Sequence, residues 1–318
     1  MSATLDSDGV MTLRREIYTK PCVTRSDFSS LLAAGRAAGA AASQDYADLL
    51  SEVASDLIVN QVDPPKYVSQ GDADWFIAQV GQGGGLSCRA EFKMLVDVLR
   101  YAVSVPASLA CFAVSEIEKA VVEGHRAANG EADHAAKTVT HDDVEALRTA
   151  VFAATDGSSL HVTKASAESL FRMAHAMPGA NQETGFDDLF ARAIGNYLLG
   201  IAHRWTPSAA EELTKEKWLD DKAPAFGAFL GSLFGGGQRQ VASVDDLVER
   251  EFRFENDADA SAMAKAGGID AGEADWLLDH LTRDGPLTSA EMRLLRFLKD
   301  EASELPASLT AVINRQAA

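Results

Sequence analysis

A chain of 318 residues, 47% of them hydrophobic, is long enough to build more than one core. Its 47 acidic against 29 basic side chains leave a formal net charge of −18, which repels phosphate backbones and anionic lipid, and the densest basic spot is only Arg14-Arg15. Nucleic-acid and membrane partners are therefore disfavoured; the three scattered cysteines, Cys22, Cys88 and Cys111, and the lack of a signal-peptide or membrane-spanning pattern make the cytoplasm the expected location.

Residues 1–26 show no sustained periodicity and read as a loosely ordered arm with one short strand around Leu13 to Tyr18. Thr24 and Asp27 form a capping box that starts an Ala-rich helix, weakened by Gly35 and Gly39. Tyr46, Leu49, Leu50, Val53 and Leu57 then fall on one stripe of a helix that Asp63-Pro64-Pro65 stops. Ser69 caps a helix carrying Ala73, Phe76, Ile77 and Val80; Gly81 to Gly85 is a turn. Phe92, Leu95, Val96 and Leu99 mark the next helix, and Pro106 opens another through Leu109, Phe112, Ala113 and Ile117. An acidic link from Gly124 to Lys137 reads as a surface loop. Thr140 to Asp143 caps a helix from Val144 to Ala153, Ala167 to Met177 is helical, and Phe186, Leu189, Phe190, Ala193, Ile194 and Tyr197 form one more stripe.

The pattern then returns. Gly71-Asp72-Ala73-Asp74-Trp75 corresponds to Gly272-Glu273-Ala274-Asp275-Trp276, and Pro106-Ala107-Ser108-Leu109 to Pro306-Ala307-Ser308-Leu309; between them Leu86, Ala90 and Glu91 meet Leu287, Ala290 and Glu291. Tyr46-x-Asp48-Leu49-Leu50 is echoed by Val244-x-Asp246-Leu247-Val248, and Phe186-x-Asp188-Leu189-Phe190 in the middle unit closely resembles it as well. The expected fold is all-α, with three related antiparallel helical units at 27–122, 140–205 and 244–318, the outer two most alike. A linker at 123–139 and a connecting segment at 206–243 join them.

Each unit turns through a Gly followed by an apolar residue, Ser or Thr, and a Glu; the C-terminal version is Asp284-Gly285-Pro286-Leu287-Thr288-Ser289-Ala290-Glu291. This resembles the second half of an EF-hand calcium loop, and the same signature is similar to the helical pairs of TerB-like tellurite-resistance proteins. What the resemblance implies is helical-pair topology over some fifteen residues per unit. Metal ligation would fall to Asp284 and Glu291, but His280 and Thr282 stand where the first hard oxygen ligands belong; the other reading is a capping box at Thr288 and Glu291.

His125, His134 and His141 lie among acidic residues without tight ligand spacing, and nucleophile elbows, phosphate loops and dinucleotide fingerprints are lacking. No cofactor is expected. Trp75 and Trp276, beside their stripes, and the Phe226, Phe229, Leu230, Leu233 and Phe234 segment suit packing or a docked partner. The expected function is a non-catalytic scaffold that holds a protein or peptide. The alternatives are a calcium sensor with degenerate EF-hand-like turns and an enzyme with a carboxylate/His site.

Overall fold

The computed structural model describes residues 5–39, 43–82, 85–126, 132–153, 162–177, 185–199, 269–283, 285–302 and 305–316. Its first helices are α1 (Ser7–Tyr18), α2 (Arg25–Ala38), α3 (Gln44–Ser55), α4 (Gln70–Val80), α5 (Arg89–Tyr101) and α6 (Ala107–Glu123). After them come α7 (His141–Val151), α8 (Lys164–Ala176), α9 (Phe186–Leu199), α10 (Ala271–Arg283), α11 (Ser289–Glu301) and α12 (Ala307–Gln316). The regular structure of the described residues is thus helical apart from one small antiparallel pair, His125–Arg126 with Ala132–His134, where a loop is expected from composition, and an isolated bridge between Tyr67 and Ser104. Among them no helix is long and apolar enough to cross a membrane.

Two expectations need correction. Leu13 to Tyr18 is helix, and the arm is docked. Asp6 caps α1 by accepting from the Gly9 amide, and Leu5, Val10 and Ile17 are buried. Arg14 pairs with Glu52 at 2.7 Å and the Tyr18 hydroxyl donates to Asp56 at 2.7 Å, tying α1 to α3 and the turn that follows it. Two apolar residues seven apart on a short helix are too sparse a stripe to stand out in sequence. The second difference is that α3 ends in a π-helical turn, Asp56–Asn60, before Asp63-Pro64. A π turn leaves little sequence trace, because it adds one residue without changing composition.

Packing sorts the helices into two sets with matching contacts. In the first, α3 lies against α5 over the most extensive helix contact; α1 and α2 also touch α3, and α6 touches α4 and α5. In the second, α9 lies against α11 with similar extent; α7 and α8 touch α9, and α12 touches α10 and α11. The sets meet where α6 packs on α7 and α8, with Arg172 of α8 holding Glu118 of α6 at 2.6 Å and 2.8 Å. One apolar core runs through both sets, from Phe28, Tyr46 and Phe76 to Phe171, Phe186 and Phe190.

Gly35 shows how close two helices come. A Cβ there would fall inside the Tyr46 hydroxyl, and Tyr46 is fully buried with its hydroxyl donating to the Leu31 carbonyl at 3.1 Å. Burial pushes the Tyr46 phenol well above its ordinary pKa, so it stays a neutral donor. Gly35→Ala, which would favour an isolated helix, is expected instead to destabilise the chain by ~1–3 kcal/mol through overpacking. Urea denaturation measures this, with stabilisation as the contrary result.

Candidate functional site

The third residue of α5 is Glu91, 1% exposed. Arg36 of α2 grips it with two bonds, Nε to Oε1 at 2.9 Å and Nη2 to Oε2 at 3.0 Å, while the Ser87 amide donates to Oε2 at 3.0 Å. Arg36 also donates to the carbonyls of Val80, the last residue of α4, and of Gln82 just after it, so one guanidinium ties α2 to the end of α4 and the start of α5. The carboxylate in turn raises the pKa of the guanidinium, keeping it charged despite partial burial.

The third residue of α11 is Glu291, 2% exposed. It closes a capping box with Thr288, whose amide and hydroxyl donate to Oε2 at 2.7 Å and 2.9 Å, and Nε2 of His175 on α8 lies 2.9 Å from Oε1. Both oxygens are engaged. The calcium reading put Glu291 with Asp284, but Asp284 lies outside the described residues, and no group of three or more metal-ligating side chains occurs among the described ones.

The tryptophans also sit alike. Trp75 packs edge-on to Phe28 at 5.7 Å beneath Arg25, whose guanidinium carbon is 4.7 Å from the ring centre. Trp276 packs edge-on to Phe171 at 5.5 Å and to Tyr197 at 5.0 Å. Both rings are half-buried finishes to helix contacts. His280, 7% exposed, stacks on Phe171 at 4.4 Å and its Nδ1 has no hydrogen-bond partner. Phe226, Phe229, Leu230, Leu233 and Phe234, expected to dock a partner, lie outside the described residues.

A polar pocket missed in sequence lies in the first set. Six residues beyond Glu91, Asp97 is 6% exposed; it accepts from the Ser51 hydroxyl of α3 and from Lys93 Nζ at 2.7 Å, with Arg100 at 3.6 Å. Lys93 also reaches Asp48 at 3.5 Å; burial works against its charge, but the two carboxylates outweigh it and raise its pKa. Around Asp97 and Ser51, a pocket of about 400 Å³ is lined by Asp48, Glu52, Ser55 and Asp56 together with Lys66 and Tyr101.

The second set builds the same place without polarity. Arg293, two residues beyond Glu291, pairs with Asp188 at 2.7 Å as Lys93 does with Asp48. Phe297 then stands six residues beyond Glu291, where Asp97 would be, and its ring fills the space a Cβ on Gly195 would need. Counting from Asp188 as from Asp48, Ser51 and Ser55 become Ala191 and Gly195. Comparing repeated positions, rather than reading stripes, would have exposed Asp97 as a polar residue in a core place.

A larger cleft of about 600 Å³ opens where the sets meet. Phe92 and Val96 of α5, Ile117 of α6 and Ala146 of α7 give it an apolar floor, and Arg89 bridges its rim to Asp142 at 3.0 Å. It adjoins the smaller pocket through Lys93 and Asp97, which line both.

Two outcomes test this geometry. Arg36→Ala strands a buried carboxylate and frees two carbonyls, so a loss of about 3–5 kcal/mol in chemical denaturation is expected; a loss under ~1 kcal/mol would contradict the bridging role. His280 is held below its ordinary pKa by burial, then by Arg283. The unfolded residue therefore takes a proton, near pH ~6.5, that the folded one refuses. Its contribution is complete above that pH and is lost as pH falls, and His280→Gln is expected to flatten the melting-temperature slope between about pH 7 and 5. An unchanged slope would contradict it.

Comparison with protein-family models, curated proteins and solved structures finds no match to this chain.

Proposed function

We propose that the chain is a non-catalytic interaction protein made of two copies of one six-helix arrangement, which holds a protein or peptide in the cleft between the copies. The doubling is supported by the matched partners: Glu91 with Arg36 and Glu291 with His175, Lys93 with Asp48 and Arg293 with Asp188; Trp75 and Trp276 also pack on the corresponding helices α2 and α8, though on residues at different positions, Phe28 and Phe171. Two sets fit this packing better than three units, since α9 takes beside α11 the place α3 takes beside α5. The 244–268 segment assigned to a third unit lies outside the described residues.

The observation that carries the reading is the cleft itself. Partly buried Phe92, Val96 and Ala146 over buried Ile117, with charged residues beside them, are the composition of a peptide-binding groove. The buried carboxylates Glu91, Glu116, Glu291 and Asp97 each have two or more donors, among them the Leu86 amide on Glu116 at 2.8 Å. Groups so engaged hold helices together and are poorly placed for acid–base work.

The test is capture of partners from the cells that make the protein, with the intact chain as bait. Ala146→Arg fills the cleft from a half-buried helix position without removing packing. Proteins retained by wild type are expected to be lost by the variant at an unchanged melting temperature; retention by both would overturn the cleft assignment.

A further inference from the structure

Resting on that reading, we infer that the Asp97 pocket receives the lysine or arginine side chain of a basic peptide segment whose apolar residues lie along the adjoining cleft. The first argument is the contrast within the chain. The second set fills this place with Phe297 against Gly195, so the fold has an apolar solution here, and replacing a buried polar cluster by apolar packing is commonly neutral or stabilising. Ser51, Ser55 and Asp97 place buried polarity where the second set packs without it.

The second argument is an unmet bond. Ser55, 5% exposed, lines the pocket, and its hydroxyl has no hydrogen-bond partner, although it sits where the second set has only Gly195. A buried hydroxyl left unpaired costs free energy that a ligand donor recovers on binding.

The third is charge. Asp48, Glu52, Asp56 and Asp97 line the pocket against Lys66 and Lys93, so the lining itself carries more carboxylate than ammonium, while Arg14 and Arg100 pair with Glu52 and Asp97 from outside it. The counterpart of Glu52 in the second set is Arg192, which would repel the same guest. The route from pocket to cleft passes Lys93 and Asp97, so one extended segment places a charged residue in the first and an apolar residue on Phe92 and Val96 in the second. Carboxylate pairs with Lys93, Arg14 and Tyr18 limit affinity, because the guest competes with them.

The experiment is fluorescence anisotropy on the full chain, with a labelled peptide alternating lysine and leucine and a second alternating glutamate and leucine. The lysine peptide is expected to bind wild type, and the glutamate peptide is not. Ser51→Ala with Ser55→Gly and Asp97→Phe rewrites the pocket as its second-set counterpart. Binding of the lysine peptide is expected to weaken about tenfold or more, with melting temperature kept or raised. Should that variant not fold, Glu52→Gln with Asp56→Asn leaves the core intact and is expected to weaken binding several-fold.

Asp300→Asn with Glu301→Gln removes the same two charges from an exposed helix end and is expected to leave binding unchanged. Equal losses in the pocket and control variants, no loss in either pocket variant, or no binding of the lysine peptide by wild type would each overturn the assignment. Partner capture that persists in wild type and is lost in Ala146→Arg, with no lysine-peptide binding, overturns the pocket alone and leaves the cleft standing.

Discussion

The structure turns on a carboxylate taken out of water at the start of a helix. Glu91 and Glu291 each occupy the third position of a helix, where free backbone amides and the helix dipole favour negative charge. Burying such a group is costly unless its oxygens are satisfied, and each is satisfied by its own turn and by a side chain from a helix distant in sequence. That requirement fixes α2 against α5 and α8 against α11. It also brings the end of α4 to Arg36.

With the seats fixed, the remaining differences between the two sets become informative. Arg36 is replaced by His175, Gln79 by His280, and Asp97 by Phe297. The second set is more aromatic around Phe171 and Trp276, and the first has a polar pocket beside the junction. A further difference concerns α12. Ala110 and Val114 are buried in α6, which α7 and α8 cover, whereas Thr310 and Asn314 at the same places in α12 are exposed.

Much of this was legible in the sequence, for physical reasons. Capping boxes at Thr24, Thr140 and Thr288 are local in the chain, and each appears where its residues predict. The stripes of α3, α5 and α9 are dense enough to mark helices. The docking of α1 was not legible, because its burial depends on α3, which is remote in sequence. The partners of Glu91 and Glu291 were hidden for the same reason: Arg36 and His175 sit in helices whose own patterns give no hint of a target. The Asp97 pocket was half legible, since lining up Glu91 with Glu291 sets Asp97 against Phe297 six residues on, and only the meaning of that difference required packing.

The central claim is that one buried carboxylate organises each set in the same way. A double-mutant cycle at both seats tests it most directly, pairing Arg36→Ala with Glu91→Gln, and His175→Ala with Glu291→Gln, by urea denaturation of the full chain. Coupling of the same stabilising sign, about 0.5–3 kcal/mol, is predicted at both seats. Coupling indistinguishable from zero at either would contradict the account.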